Sequence, residues 1–307
     1  FTLTNQFAVP DETVNVTVNK VWNDTAKQQD KRPETITIVL NGGEEQYSKT
    51  IETTSNTVVT FENLPKYNSQ GAIINYTVQE TGNNEFYPIG TVTGTMLSGY
   101  TITNTFTRPE TTIDVTVTKA WEDTAGQQDK RPEEVTAIIT GTLETENDIA
   151  ERYNVKASEN WTHTFEGLPK YDSNGDEIVY SVTEEGSYEF YTLKEVTGDQ
   201  TSGFTITNQF VLPGDTVNVT VTKAWEDTAE QQDKRPEEVT VVVSGNGKTE
   251  RYNVKAEENW THTFTNLPKY DSNGNEIVYT VTEEGSYDFY TLKEVTGDQT
   301  SGFTITN

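Results

Sequence analysis

Cysteine is absent from the 307-residue chain, which excludes disulfides, thiolate metal sites and cysteine nucleophiles together. That absence does not fix the compartment, because cytosolic proteins also do without disulfides; it leaves room for another kind of staple. Positive charge is scarce as well: 22 Lys and Arg stand against 49 Asp and Glu, a net charge of −27. Such an acidic surface repels the polyanions, so neither nucleic acid nor an anionic membrane is a partner, and the charge is that of a soluble, extended surface protein. No apolar run approaches the roughly 18 residues of a membrane span, and Phe1-Thr2-Leu3-Thr4-Asn5 lacks the basic region of a signal peptide. The chain reads as an excised piece of a longer protein. Gly-rich phosphate loops, nucleophile elbows and helix-borne ligand pairs are also missing, so no cofactor and no turnover of an external substrate is implied.

What the sequence has in quantity is itself. Lys20 to Lys119 is 99 positions and Lys119 to Lys223 is 104, while Asn104 to Asn208 is 104 and Asn208 to Asn307 is 99. The five extra residues fall in Gly141 to Tyr153, longer than its counterpart Gly245 to Tyr252, as a solvated hairpin insertion would be. Each copy alternates short runs of Val, Ile, Thr, Tyr and Phe with turn chemistry such as Asn41-Gly42-Gly43 and Asp271-Ser272-Asn273-Gly274, and no helical period is sustained. Repeats of about 100 residues with some seven strands predict an all-β chain of tandem immunoglobulin-like sandwiches. The boundaries expected are 1–9 for the last strand of a preceding repeat plus linker, then 10–107, 108–211 and 212–307. Phe1 to Phe7 matches Phe204 to Phe210, so the parent protein is expected to continue upstream. Junctions of a few residues, each with one proline, predict limited bending and an elongated rod.

One position breaks the alternation of polar and apolar residues. In Val219-Thr220-Val221-Thr222-Lys223-Ala224-Trp225 the side chains of Val219, Val221, Lys223 and Trp225 share a strand face. Lys119 and Lys20 hold the same place in their repeats, so three lysines point inward where an ammonium is costly. The same parity turns Glu80, Glu184 and Glu283 inward with Tyr76, Tyr180 and Tyr279, while Glu185 and Glu284 fall on the solvated face. Asn104, Asn208 and Asn307 share parity with Ile102, Ile206 and Ile305, always 24 positions after the glutamate.

Desolvation favours the neutral forms of a buried lysine and a buried carboxylic acid. A neutral amine is a nucleophile and a carboxamide is an electrophile. A glutamate beside them can polarise the carbonyl and carry protons while ammonia leaves. The product is an isopeptide bond, and holding the groups in contact supplies the effective concentration so poor an electrophile requires.

The runs Val-Thr-Lys-Ala-Trp-Glu-Asp, Asp-Lys-Arg-Pro-Glu-Glu-Val-Thr, Asn-Trp-Thr-His-Thr-Phe, Leu-Pro-Lys-Tyr-Asp-Ser-Asn-Gly, Tyr-Thr-Val-Thr-Glu and Thr-Ile-Thr-Asn resemble the collagen-adhesin B-type repeat domains of Gram-positive surface proteins. The resemblance covers nearly the whole chain, three times. It implies an immunoglobulin-like sandwich whose first and last strands are joined by a spontaneous lysine-to-asparagine isopeptide bond assisted by a glutamate. The residues it assigns are Lys20, Glu80 and Asn104, then Lys119, Glu184 and Asn208, then Lys223, Glu283 and Asn307. Repeat 1 departs from its siblings elsewhere, in Asn-Thr-Val-Val-Thr-Phe and Tyr-Asn-Ser-Gln-Gly-Ala, and keeps all three reactive positions. Asn307 ends the chain with no following phenylalanine to pin its strand.

Other candidates are weaker. Asp172-Ser173-Asn174-Gly175-Asp176-Glu177 has oxygen ligands at alternate positions, but its glycine comes early and the twelfth-position glutamate of a calcium loop is missing, so a hairpin turn fits better. His163 and His262 occupy equivalent places in different repeats and do not make one metal site; no metal is expected. Trp22, Trp121 and Trp225 are expected to plug the core and shield the lysines. The function expected is a stalk: repeats that project a distal adhesive domain from a bacterial cell wall, outside the cell, without enzymatic turnover beyond one self-crosslinking event. Its partners would be neighbouring repeats and, through a distal domain not in this sequence, a host extracellular-matrix protein. The alternatives are a matrix-binding module of the same adhesin or a pilin-type shaft. A dedicated binding site would give one copy a distinctive loop, and only Gly141 to Tyr153 is unusual in that way.

Overall fold

The computed structural model describes residues 1–143 and 148–307, so Glu144 to Asn147, and with them most of the loop expected to be solvated, lie outside the described residues. Repeat 1 shows the plan. Its strands are β1 (Thr13–Asn23), β2 (Thr35–Gly42), β3 (Glu45–Glu52), β4 (Thr57–Pro65), β5 (Thr77–Thr81), β6 (Thr91–Thr95) and β7 (Gly99–Thr105). They make a four-stranded sheet in the order β4-β1-β7-β6 and a three-stranded sheet in the order β3-β2-β5. The same two sheets recur in repeat 2, between its first strand Thr112–Glu122 and its last Gly203–Phe210, and in repeat 3, between Thr216–Ala224 and Gly302–Thr306. The all-β tandem of seven-stranded sandwiches is the fold that the alternation in the sequence predicts.

Alternation explains the packing. Along β1 every second residue from Val16 to Trp22 is buried, and Ile36, Ile38 and Leu40 of β2 face them from the other sheet. Each such aliphatic side chain contributes about 1.5–3 kcal/mol by leaving water, and one face of each strand therefore defines the core. The turns follow local chemistry. In repeat 3, Asn246 and Gly247 both take positive φ (49° and 71°), the backbone of a tight hairpin that an Asn-Gly pair adopts at low cost.

The terminal strands break the antiparallel rule. β1 pairs with β7 in parallel, with Lys20 opposite Ile102 and Trp22 opposite Asn104. A parallel pair needs a long crossover, and here nearly the whole sandwich serves as that connection. Consequently the chain enters a repeat at one pole and leaves at the other. Residues 1–12 carry no strand. Elsewhere a Thr-Ile-Thr-Asn strand is held by the first strand of its own repeat, a pairing that Phe1 to Phe7 do not make among the described residues.

A glycine–tyrosine contact closes one end of each sandwich. The Tyr76, Tyr180 and Tyr279 hydroxyls each donate to a proline carbonyl (Pro65, Pro169, Pro268) at 2.8 Å. Their rings lie across Gly42, Gly141 and Gly245, where a Cβ would come within 2.1 to 2.6 Å of ring carbons. Gly245→Ala should therefore destabilise repeat 3 by about 1–3 kcal/mol through overpacking, seen as an earlier urea transition. An unchanged transition would show that the tyrosine can move aside freely.

Candidate functional site

The three inward residues expected in each repeat meet at one point. Lys20 (1% exposed), Glu80 (4%) and Asn104 (0%) are buried together in repeat 1. β1 and β7 deliver lysine and asparagine from adjacent strands of one sheet, and β5 delivers glutamate from the facing sheet. The parallel register sets lysine one inward pair behind asparagine, a gap that the four-carbon stem of lysine spans. Lys20 Nζ donates to Asn104 Oδ1 at 2.6 Å, and Asn104 Nδ2 donates to Glu80 Oε1 at 2.6 Å. Glu80 Oε2 lies 3.7 Å from Lys20 Nζ. Pro88 O also accepts from Asn104 Nδ2, at 3.1 Å, and Gly90 lacks the Cβ that would come within 2.4 Å of Asn104 Oδ1.

Repeats 2 and 3 bring the same types together with a small difference. Asn208 Nδ2 donates to Glu184 Oε1 at 2.7 Å and Asn307 Nδ2 to Glu283 Oε1 at 2.8 Å. Lysine-to-carboxylate distances are 3.7 and 3.9 Å. The amines of Lys119 and Lys223 donate to main-chain carbonyls, Ala120 O and Ala224 O, instead of to the carboxamide. The Asn208 and Asn307 Oδ1 atoms are buried without a hydrogen-bond partner, as is the second oxygen of each of the three glutamates. A buried acceptor without a hydrogen bond costs about 1–3 kcal/mol, so these atoms add to the cost of each site. Asn307, although terminal, is 7% exposed, and its backbone N–H donates to Ala224 O. Glu185 and Glu284 face solvent, as their parity requires, and pair with Arg152 and Arg251.

Above each lysine sits the expected tryptophan. Lys20, Lys119 and Lys223 place Nζ 3.7, 4.1 and 4.1 Å from the ring centroids of Trp22, Trp121 and Trp225. Burial in this apolar surrounding is the main cause that pushes all three amines down to about 8, against the opposing pull of the neighbouring glutamate. A nearby guanidinium lowers them further.

That guanidinium belongs to a clamp which the residue pattern alone did not reveal. Arg32 grips Asp24 with two hydrogen bonds of 2.7 Å, lies over Trp22 at 5.1 Å, and the Tyr87 hydroxyl donates to the same aspartate at 2.6 Å. Asp123, Arg131 and Tyr191 repeat it, as do Asp227, Arg235 and Tyr290. Tyr87 also meets Trp22 edge to face at 5.1 Å, so the indole is held from several directions. The guanidinium and the tyrosine hold each aspartate below the usual carboxylate range. The signal was available in the sequence: aspartate and arginine are eight positions apart in all three copies.

The remaining candidates have structural partners. Asp172 Oδ1 accepts the backbone N–H groups of Asn174 and Asp176, the hairpin turn preferred over a calcium loop. His163 and His262 stack on Tyr153 and Tyr252 at 3.4 and 3.5 Å.

The lysine environment has a pH signature. A buried amine at about 8, against 10.5 when exposed, loses its proton in the folded state first. Between about pH 8 and 10 the unfolded chain then binds more protons, so stability rises with pH, by at most roughly 1.4 kcal/mol per pH unit per lysine. In a variant with Asn104, Asn208 and Asn307 replaced by Ala, which keeps the amines free, urea midpoints should climb across this window. Adding Lys→Met at the three positions should flatten the climb, and a flat profile with the lysines present would show that they stay charged inside.

Comparison with known proteins places the chain in a family. The model of the Cna protein B-type domain matches residues 16–105, 115–209 and 219–307. The collagen adhesin of Staphylococcus aureus is 35% identical over 308 aligned residues, which cover 99% of this chain and 24% of that protein, so the chain spans about a quarter of the curated relative. A solved structure of two B repeat units of the collagen-binding protein of the same organism is 29% identical and covers 95% of this chain and 74% of its own, with a TM-score of 0.40. A single B repeat unit of that protein is 32% identical, covering 64% and 97%, with a TM-score of 0.28. With three consecutive matches that take in most of its length, the chain belongs to the Cna protein B-type domain family.

Proposed function

We propose that each repeat closes itself with one isopeptide bond and that the three together form a load-bearing section of the stalk of a Gram-positive surface adhesin, outside the cell. The observation that carries the reading is the chain of contacts in repeat 1, from Lys20 Nζ through the Asn104 carboxamide to Glu80, in a site from which water is excluded. The neutral amine attacks Asn104 Cγ and forms a C–N bond. Glu80 takes a proton from Lys20 Nζ and gives one to Asn104 Nδ2; the bond from Cγ to Nδ2 breaks and ammonia leaves. Lysine amine plus carboxamide thus give a secondary amide plus ammonia, with no oxidant or cofactor. Because the glutamate ends as it began but its substrate is its own chain, the event happens once per repeat. Lys119, Glu184 and Asn208, and Lys223, Glu283 and Asn307, take the same roles.

The bond would join residues 84, 89 and 84 positions apart (104 − 20, 208 − 119 and 307 − 223). Closing such a loop restricts the unfolded chain by about 4 to 5 kcal/mol in a chain-entropy model. Tension applied at the two poles would run along β1 to Lys20, cross the bond and leave through Asn104, so residues 21 to 103 carry none of it. In this reading a distal domain engages the matrix protein, and these repeats hold it away from the cell wall.

Intact mass tests the chemistry. Three completed bonds lower the mass by about 51 Da, one ammonia of about 17 Da each, and Glu80→Ala should remove one loss while repeat 1 stays folded. A full loss in Glu80→Ala would eliminate the glutamate as proton carrier, and no loss in the parent chain would eliminate the bond. Stalk and binder separate by surface plasmon resonance on immobilised collagen. No binding at tens of micromolar is expected, whereas saturable binding would make the repeats themselves the adhesive surface.

A further inference from the structure

Among the described residues, one arrangement of contacts recurs at both joints between repeats. After β5 of repeat 1 the loop Glu85-Phe86-Tyr87 sends Tyr87 into its own clamp and Phe86 outward, where it stacks on Phe106 at 6.1 Å between centroids. Into this pair fits the hairpin turn Tyr171 to Gly175 of repeat 2. Tyr171 meets Phe86 edge to face at 5.2 Å, and a Cβ on Gly175 would lie 3.0 Å from Phe86 and 3.2 Å from Phe106. Between repeats 2 and 3 the arrangement recurs: Tyr270 meets Phe190 at 5.2 Å, Phe190 stacks on Phe210 at 6.0 Å, and Gly274 packs against both rings. Polar contacts frame both. Tyr270 donates to Glu189 at 2.7 Å as Tyr171 does to Glu85 at 3.4 Å, and Gln28 and Gln127 donate to the Ser173 and Ser272 carbonyls, each across 145 positions.

Three further observations mark the contact as built. Phe190 is 9% exposed, covered on one side by Phe210 of its own repeat and on the other by Tyr270 and Gly274 of the next. The turn is shaped beforehand within its own repeat by the Asp172 and Asp271 hydrogen bonds to backbone N–H groups. Gly175 and Gly274 hold φ of 86° and 83°, a conformation that favours glycine, at the very point where a Cβ would press on the rings.

We propose that the aromatic pair at the outgoing pole of each repeat is a socket for the Tyr-Asp-Ser-Asn-Gly turn of the repeat that follows, and that filling it locks adjacent repeats in one orientation. The lock is mainly aromatic. The ion pair Lys31 to Asp176, 2.7 Å in the first joint, has asparagine in place of its acid, Asn275, in the second, so it is dispensable.

The absence of cysteine makes the test direct. Glu62 and Glu166, exposed and equivalent in repeats 1 and 2, are changed to Cys in the full chain, spin-labelled, and their separation measured by double electron–electron resonance. A single narrow distance distribution is expected. Phe86→Ala, which empties the socket, and Gly175→Ala, which crowds the turn, should each broaden it at least about twofold with little change in the thermal midpoint. The two variants act from opposite sides of the joint, so a fold defect in one leaves the other as a test. A distribution already broad in the parent chain, or equally narrow in a folded variant, would overturn the proposal.

Discussion

An ammonium group gives up its water only at high cost, and the fold places one in the middle of each sandwich. Every feature of the site answers that placement. The tryptophan covers the amine, the glutamate lies within 4 Å, the asparagine ends one inward pair further along the neighbouring strand, and the arginine clamp keeps the indole where it is. A hydrophobic residue at position 20, 119 or 223 would fill the same space at no such cost. The proposed bond would account for the expense, since the lysine would then be a reactant whose charge is a state to be passed through.

The parallel pairing of first and last strands is what would make the proposed bond mechanically useful. Two strands that run side by side in the same direction and leave at opposite poles are sheared when the poles are pulled, with the ladder from Val18 to Asn23 resisting as a block. Lysine and asparagine sit inside that ladder, on the strands the load reaches first. A bond elsewhere in the sandwich, between β2 and β5 for example, would stabilise the fold without shortening the path of the force.

Much of this was legible in the sequence because strands report their faces through parity and the repeats supplied three readings of the same pattern. Lys20, Glu80 and Asn104 each look ordinary alone; together, recurring at matched spacing in a repeat that otherwise diverges, they do not. The clamp escaped because Asp24 and Arg32 flank an irregular 3-10 turn, where no period links a residue to a face, and because an arginine near the surface ordinarily means solvation. The joint escaped for a different reason: its partners lie in separate repeats, and nothing in a strand pattern says which turn meets which loop. Repeat 1 also solves a local problem in its own way. Repeats 2 and 3 pack a second tryptophan, Trp161 or Trp260, edge to face on the first, whereas in repeat 1 the Asn56 side chain accepts the Trp22 backbone N–H.

The contact between neighbours is heterologous: one pole of a repeat differs from the other, and each meets the opposite pole of its neighbour. Such a contact does not close on itself along a line, so nothing in its geometry sets a number of units. Copying one repeat in the gene brings both halves of the fitting with it, and the new unit needs no compensating mutation to take its place. Reach can therefore be gained or lost in whole steps during evolution while the local chemistry of every unit stays the same.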